Sequence, residues 1–249
     1  MQRYFVNEMN EDNQFIISDE QYHHIVRVMR MKQDDKIICV STNNEAYLCS
    51  LQEVTDSIVV AAVEEKLENN VELPVSVTIV SGLPKGDKLE LIIQKGTELG
   101  ASSFIPFKSA RSVIKWDEKK GAKKIERFSK IALEAAEQSH RVVVPIVQNP
   151  MTINELIKHS ENFTVKMIAY EEEAKQNEAS NFHQALKKLK PSDSIMIVFG
   201  PEGGLTEKEV QQLEENGFIC CGLGPRILRT ETAPLYALSA ISYHFELMG

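Results

Sequence analysis

The chain has 249 residues, of which 43% are hydrophobic and 26% charged, and its formal net charge is −8 at pH 7. This composition is typical of a globular protein with one or two domains and excludes a disordered or fibrous chain. No apolar run approaches the length that crosses a bilayer, and MQRYFVNEMN does not resemble a secretion signal, so we expect a cytoplasmic protein.

The first seventy residues contain short β-like segments, QFIIS, DKIICV, AYLCSLQEV and SIVVAAVEE, joined by polar turns. One short helix is predicted at DEQYHHIVRVMR. Short strands at this close spacing predict a small β-barrel. The segment ENNVELP (68–74) then predicts a linker, which places one domain at 1–72 and a second at 73–249.

From residue 75 onward, predicted strands alternate with predicted helices. This alternation is typical of a mostly parallel, helix-covered sheet, which binds its ligands at the carboxyl ends of the strands. An apolar stripe on the last helix (Leu235, Leu238, Ile241, Phe245) is predicted to be exposed and is compatible with a dimer. The predicted strands are VSVTIVS, SSFIPF, VVVPIV, TVKMIAY, SIMIVFG and FICCGLG; the predicted helices are GDKLELIIQKGTELG, 117–140, a helix capped by Thr152 and Glu155, NFHQALKKL, a helix capped by Thr206 and Glu209 and ending at Gly217, and one from about Thr232 to the C-terminus.

Charge is spread unevenly along the chain. Residues 1–72 hold six Lys and Arg against fourteen Asp and Glu, whereas 73–249 hold twenty-two of each. Between Lys108 and Arg141, ten basic residues oppose five acids, a tract that fits phosphate binding and a solvated helix face equally well. The four cysteines form no CxxC pair or metal-binding spacing, so we expect buried thiols without zinc or disulfides.

Two predicted strands end in similar loops, Gly200-Pro201-Glu202-Gly203-Gly204 and Gly224-Pro225-Arg226. Glycine lets the backbone approach a ligand and proline fixes the direction of the loop, so both loops predict a rigid rim of backbone N–H and C=O groups. Neither loop matches GxxxxGK[ST] or GxGxxG, which favours an adenosine-bearing ligand without a phosphate chain.

FGPEGGLTEKEV and LGPRILRTETAPLYAL strongly resemble the RsmE family of 16S ribosomal RNA uridine N3-methyltransferases, which belong to the SPOUT class and use S-adenosyl-L-methionine. KLELIIQKGTELGASSFIPF and KIALEAAEQSHRVVVPIV resemble upstream motifs of that family, and RYF and HHIVRVMRM resemble its PUA-like RNA-binding domain. The resemblance covers nearly the whole chain. One departure is Gln33-Asp34-Asp35, where the family has a Gly-Asp turn.

The resemblance implies a PUA-like β-barrel at 1–72, a SPOUT domain with a C-terminal trefoil knot at 73–249, and a homodimer. It also implies S-adenosyl-L-methionine as the cofactor, and 16S rRNA in the small ribosomal subunit as the substrate. The cofactor-binding residues carried over are Phe199, Gly200, Glu202, Gly203, Leu223, Gly224, Pro225, Ile227, Leu228, Thr230 and Ala233.

Methyl transfer to uracil N3 requires loss of the N3 proton, aided by a base or by a cation that stabilises charge on O2 and O4. Arginine suits the second task because it stays charged and planar. Candidates are Arg111, Arg141 and Arg229 for the cation, and Glu98 and Glu231 as bases or orienters of arginine.

The reacting uridine must be unpaired or extruded, because N3 lies on its Watson–Crick edge. The expected RNA contacts are Arg3, His24, Arg27, Arg30, Gln138 and Arg226. The alternatives are a SPOUT enzyme for tRNA or 23S rRNA, and a non-catalytic RNA-binding factor for ribosome assembly. A hydrolase is disfavoured because the sequence has no GxSxG or HExxH motif.

Overall fold

The computed structural model describes residues 1–68, 71–114, 116, 118–170 and 179–248, without the side chains of 118–120, 179 and 180. Some of the sequence predictions concern residues outside this description. They are Lys115 and the side chains of Lys119 and Lys120 in the basic tract, Asp117 at the start of the helix predicted at 117–140, and residues 69–70 of the predicted linker. The chain divides into two compact units, Met1–Glu72 with Ala136–Val143, and Leu73–Ala135 with Val144–Gly249. In the described residues no helix is long and apolar enough to cross a membrane.

The first unit contains a five-stranded sheet in the order β1-β3-β4-β5-β2, in which β1 is parallel to β3 and the other pairs are antiparallel. Register shifts in β4, at Leu48/Cys49 and Leu51/Glu53, increase the twist and curl the sheet. A helix and a π-helical turn, His24–Val28, connect β2 to β3. The elements are β1 (Arg3–Phe5), β2 (Gln14–Ile17), α1 (Asp19–His23), β3 (Lys36–Val40), β4 (Ala46–Val54) and β5 (Val59–Leu67).

The core of this unit is built from alternate positions of the strands, which point to one face of the sheet. Phe15, Ile37 and Leu51 are fully buried there, together with Ile25 from the π-helical turn. Cys39 and Cys49 belong to the same core, and Cys220 and Cys221 are buried in the second unit. The prediction that the cysteines are buried is therefore confirmed.

The departure from the family at residues 33–35 forms an ordinary tight turn. Asp34 has φ +71°, a left-handed conformation that glycine adopts at little cost and that aspartate tolerates. The Asp34 amide donates to the Leu51 carbonyl at 2.9 Å, and the Lys32 amide donates to Asp35 Oδ2 at 2.7 Å. Aspartate thus replaces glycine here without loss of the turn.

The second unit is a six-stranded sheet in the order β11-β9-β10-β6-β7-β8, with every neighbouring pair parallel. The strand predicted at VVVPIV is reduced to two residues, because Pro145 has no N–H to donate and Val142 packs within the first unit. The elements are β6 (Ser76–Gly82), α2 (Lys88–Glu98), β7 (Ser103–Phe107), α3 (Glu118–Gln138), β8 (Ile146–Val147), α4 (Ile153–His159), β9 (Val165–Ala169), α5 (Ala179–Lys188), β10 (Ser194–Phe199), α6 (Glu207–Glu214), β11 (Ile219–Cys221) and α7 (Thr232–Ser242), followed by a π-helical turn, Tyr243–Leu247.

Both faces of this sheet are covered. Along β10, Ile195 and Ile197 point into one hydrophobic cluster, whereas Met196 and Val198 point into another on the opposite face. A strand of a parallel sheet that is buried on both faces has a continuous run of apolar residues. This explains why apolar and polar residues do not alternate in SIMIVF. Both predicted capping boxes are present, at the starts of α4 and α6.

The prediction that the apolar stripe on the last helix is exposed is wrong. Leu238 and Ile241 are fully buried in the core of the second unit. Leu238 also packs near Gly96 of α2, where a Cβ would lie 2.7 Å from the ring of Phe104, so the glycine makes room for that ring. The exposed face of this helix instead carries Tyr236, and the π-helical turn that follows carries the exposed Tyr243 and Leu247.

Candidate active site

A cavity of about 590 Å³ opens at the carboxyl ends of β9 and β10. A smaller cavity of about 90 Å³ adjoins it and shares five of its lining residues. This is the edge at which parallel sheets bind their ligands, and the larger volume lies in the range of ligand sites. The larger cavity is lined by Lys88, Arg111, Ala169, Tyr170, Phe199, Gly200, Pro201, Glu202, Gly203, Gly204, Leu205, Ile227, Leu228, Arg229, Thr230 and Ala233, and the smaller also by Cys221, Leu223, Gly224 and Arg226.

The first wall is the loop after β10, in which close packing requires glycine at position 200. A Cβ on Gly200 would lie 2.9 Å from the carbonyl carbon of Gly204. A Cβ on Gly82, at the end of β6, would lie 2.5 Å from Cδ of Pro201. Since such distances are not tolerated, this loop is compact and pressed against the neighbouring strand. Backbone groups rather than side chains therefore form the cavity wall here.

The second wall is the loop between β11 and α7. Gly224 has φ +94°, which favours glycine at this position. The carbonyl of Arg229 accepts hydrogen bonds from the amides of Thr232 and Ala233, at 2.8 and 3.0 Å, and so begins α7. Between these points Ile227 is 76% exposed, an unusual position for a branched apolar side chain that faces a cavity. Such a side chain suits a ligand that covers it.

Lys88 links the two walls. Its ammonium donates to Glu202 Oε1 at 2.8 Å and lies 3.4 Å from Glu231 Oε2, within ion-pair distance but without hydrogen-bond geometry. The Lys85 amide donates to the same Glu202 oxygen at 3.1 Å. Burial favours the neutral acid of Glu202, but the Lys88 hydrogen bond and backbone amides outweigh it and hold its pKa below the usual range. The hydrogen bond to Glu202 raises the pKa of Lys88.

Arg111 reaches the cavity from the loop after β7. Its Nη1 donates to the carbonyls of Gly203 and Leu205, at 3.1 and 3.2 Å. The neighbouring Ala110 amide donates to Glu209 Oε1 at 2.7 Å, and the other oxygen of Glu209 caps α6 through Thr206. Among the described residues no carboxylate lies within ion-pair distance of Arg111. The guanidinium is thus held by neutral groups, and no carboxylate of the described residues pairs with it at the cavity.

The cavities bring together most of the predicted cofactor-binding residues. Every predicted position except Pro225 lines one cavity or both. Pro225 lies between two lining residues, Gly224 and Arg226. The cofactor roles of these residues stay predictions, and their grouping at one sheet edge is what the structure contributes.

The four predicted catalytic residues separate into two groups. Arg111 and Arg229 line the larger cavity. Glu98 does not line it and forms an ion pair with Lys95 on the surface of α2. Arg141 is buried in the first unit, where it forms an ion pair with Glu72 whose carboxylate also accepts the amides of residues 142 and 143. Direct roles for Glu98 and Arg141 in the reaction stay predictions without support from the cavity geometry.

The predicted RNA contacts other than Arg226 lie in the first unit. Arg3 is buried and donates to the Arg141 carbonyl at 2.9 Å, and burial lowers its pKa, opposed by the charge of Glu72. His24 is partly buried, with Nδ1 2.9 Å from the Tyr4 hydroxyl. In contrast, Arg27, Arg30 and Gln138 are exposed. Of the five predicted contacts in the first unit, these three present polar atoms freely to a large partner.

Sequence reasoning missed Lys88, Ala169 and Tyr170 as cavity residues. Ala169 and Tyr170 follow from the rule that ligands bind at the ends of parallel strands, since Ala169 ends β9 and Tyr170 is the next residue. Lys88 has no local signal, because its partners are more than 100 residues away. Among the described residues no group of three His, Cys, Asp or Glu side chains is placed to hold a metal ion.

Comparison with known proteins agrees with this architecture. Residues 71–242 match a family described as RNA methyltransferase domain, and residues 17–64 match one described as RNA methyltransferase PUA domain. The ribosomal RNA small subunit methyltransferase E of Bacillus subtilis (strain 168) is 54% identical over 252 residues, covering 100% of this chain and 98% of the relative. The protein of that name from Mesomycoplasma hyopneumoniae (strain 232) is 36% identical, covering 96% and 98%.

Among solved structures, the ribosomal RNA small subunit methyltransferase E of Neisseria gonorrhoeae, bound to S-adenosyl methionine, has a TM-score of 0.82 and 29% identity and covers 97% of each chain. A crystal structure described as a hypothetical protein has a TM-score of 0.94 and 52% identity over 100% of both chains. With matches to both domains and full-length relatives, this chain belongs to the RsmE family of RNA methyltransferases.

Proposed function

We propose that this protein transfers the methyl group of S-adenosyl-L-methionine to N3 of a uridine in the 16S rRNA of the small ribosomal subunit. The observation that carries the proposal is the cavity between the two Gly-Pro loops, with Arg111 and Arg229 at its wall. The names of the full-length relatives support small-subunit rRNA as the substrate. The choice of uridine N3 rests on the resemblance of the two loops to the RsmE family.

The cavity residues fit S-adenosyl-L-methionine. Glycines at 200 and 203 keep the first wall free of side chains, and Gly224 shapes the second. The smaller cavity, lined by Leu223, Ile227 and other apolar groups, suits a planar base that would cover Ile227. When bound, this cofactor supplies a methyl carbon activated by a positively charged sulfur. Two solved relatives, from Neisseria gonorrhoeae and Legionella pneumophila, are described with it bound.

The two arginines at the cavity provide the charge that the reaction needs. Attack by uracil N3 places negative charge on the base as its proton leaves, and a preorganised cation in a partly enclosed site stabilises that charge. Arg111 is fixed by two backbone carbonyls, so it loses little rotational freedom when a ligand arrives. Arg229 lies in the opposite loop and is exposed. We assign the anion-stabilising role to this pair.

Binding of rRNA falls to the first unit in this proposal. Its match to an RNA methyltransferase PUA domain and its exposed Arg27 and Arg30 support phosphate contacts there. Arg226 of the second loop is exposed at the smaller cavity and is proposed to contact RNA near the reacting base. The protein then acts in the cytoplasm, where its rRNA substrate is found.

A homodimer is proposed from the exposed face of the last helix. Tyr236, Tyr243 and Leu247 are 40%, 56% and 74% exposed and recur at spacings of seven and four residues, so they share one side. An exposed apolar and aromatic stripe of this kind is typical of a surface that another subunit covers.

The experiment is transfer of labelled methyl groups from S-adenosyl-L-methionine to small ribosomal subunits from cells that lack the modification, followed by digestion to nucleosides. We expect the label in 3-methyluridine. Gly203→Val fills the first wall, where even a Cβ would lie only 3.2 Å from Cβ of Arg111, and should abolish transfer. Gly121→Ala is the matched control, since no atom of the described residues lies within 4 Å of its Cβ position, and it should remain active.

The outcomes separate the parts of the proposal. Label in another nucleoside would keep the cofactor and overturn the uridine assignment. Label only when tRNA or 23S rRNA is supplied would overturn the 16S assignment. Absence of cofactor binding in calorimetry would overturn the enzymatic function and favour a ribosome assembly factor.

A further inference from the structure

Lys88 occupies an unusual place in the second unit. It is the first residue of α2, it lines the larger cavity, and its ammonium lies between two carboxylates. Glu202 belongs to the loop after β10, and Glu231 directly precedes α7. These residues are separated from Lys88 by 114 and 143 positions in the sequence. One side chain thus joins the start of a helix to both loops that form the cavity.

The contact with Glu202 is reinforced by the backbone. The Lys85 amide and the Lys88 ammonium donate to the same carboxylate oxygen, so the segment 85–88 holds the first loop by a neutral and a charged donor. Charge-assisted hydrogen bonds of this kind are shorter and stronger than neutral ones. The first loop is therefore fixed to the start of α2.

The contact with Glu231 depends on the same ammonium. The Glu231 side chain is only 16% exposed, and among the described residues its Oε2 has no hydrogen-bond partner, so the nearby charge of Lys88 is its main compensation. Glu231 adjoins Thr230, which lines the cavity. Without the Lys88 ammonium, the carboxylates of Glu202 and Glu231 would repel each other, and this repulsion would move the two loops apart.

We infer that Lys88 is a positioning residue that holds the two Gly-Pro loops together around the S-adenosyl-L-methionine site. This inference rests on the proposed function, because the ligand is the one assigned to the cavity there. The effect of Lys88 acts through Glu202 and Glu231, which belong to the loops, and requires a positive charge at position 88. The inference predicts that removal of the charge at position 88 lowers the affinity for the cofactor and has a smaller effect on thermal stability.

The test compares Lys88→Met, Lys88→Arg and Lys95→Met by calorimetric titration with S-adenosyl-L-methionine and by thermal unfolding. Lys95 is the matched control, since it lies on the same helix and forms an ion pair with Glu98 outside the cavity. We expect Lys88→Met to weaken binding at least about tenfold, as for loss of a charged contact at a preformed site. Lys88→Arg should keep most of the affinity, and Lys95→Met should match the wild type.

Two further variants test the positioning role of Lys88 if Lys88→Met folds poorly. Glu231→Gln removes one carboxylate and leaves the hydrogen bond between Lys88 and Glu202. It should therefore weaken binding of S-adenosyl-L-methionine by a factor of a few while the protein still folds. In Lys88→Met combined with Glu231→Gln, the repulsion is gone and part of the affinity should return. Equal affinity in Lys88→Met and Lys95→Met, or in Glu231→Gln and the wild type, overturns the inference. Failure of the wild type itself to bind would overturn the proposed function instead.

Discussion

Arg111 and Arg141 show how the surroundings of a residue decide what its charge can do. The guanidinium of Arg141 is buried against Glu72, and its charge is neutralised in place. Arg111 is held by the carbonyls of Gly203 and Leu205, which fix its position but leave its charge uncompensated among the described residues. A charge that must stabilise an anion in a transition state is effective only in the second situation.

Replacement of Arg111 by alanine should lower kcat about 100-fold, as for loss of one fixed donor that acts on developing charge. The affinity for S-adenosyl-L-methionine should change less than about threefold, because the arginine is assigned to the transition state. Single-turnover methylation and calorimetry measure the two quantities.

Arg127→Ala is the matched control for this prediction, since Arg127 forms an exposed ion pair with Glu90 and does not line the cavity. Arg111→Lys should fall between the wild type and alanine, because lysine keeps the charge but not the fixed geometry. A loss of kcat below about threefold in Arg111→Ala would exclude the assigned role.

At the scale of elements, the cavity depends on how closely β6 approaches the loop that follows β10. The two strands are parallel neighbours in register from Ser194 and Ser76 to Phe199 and Ser81. At the next position Gly82 faces Pro201, and the Cα hydrogen occupies the space that a side chain would need. The first wall is thus positioned by strand pairing as well as by its own glycines.

Gly82→Ala should therefore destabilise the protein by about 1–3 kcal/mol, the usual cost of overpacking, and should also weaken cofactor binding. The control Gly121→Ala lies inside α3, where the described part of the chain leaves open space at its Cβ position, and it should raise stability by about 0.5–1 kcal/mol through helix propensity. Urea unfolding monitored by circular dichroism measures both changes. If Gly82→Ala were as stable as the wild type, the contact with Pro201 would not constrain the loop.

At the scale of the whole molecule, the distribution of charge is at odds with simple attraction to RNA. The net charge is −8, and residues 1–72, which contain the whole match to a PUA domain, account for all of it. A domain of this charge is repelled by most RNA surfaces at long range. Specific contacts by a few exposed arginines must then overcome that repulsion, which favours one preformed RNA shape over random sequence.

We therefore expect Arg27→Ala and Arg30→Ala each to weaken binding to small-subunit rRNA and to reduce the salt dependence of binding by about one phosphate contact. Fluorescence anisotropy at several salt concentrations measures the slope. Lys36→Ala is the control, because Lys36 is paired with Glu64 at 2.6 Å and should leave the slope unchanged. An unchanged slope in both arginine variants would place the RNA contacts elsewhere.

Local sequence patterns were sufficient for much of the fold. The capping boxes at Thr152 and Thr206 act within a few residues, so their outcome is set locally. The two Gly-Pro loops were also visible, together with the family that they resemble. The last helix was misjudged because a stripe of apolar residues looks the same whether the fold or a partner covers it. The trefoil knot stays a prediction of the resemblance.

The sequence by itself determined the order of strands and helices after β1, which it did not predict, together with the position of the two loops and the membership of the chain in its family. Only the tertiary structure decided which charged groups meet. Lys88 and Glu202 are 114 positions apart, and Arg141 and Glu72 are 69 apart. Such pairs depend on the order of strands in the sheet, because that order, and not the local sequence, brings distant segments to the same edge.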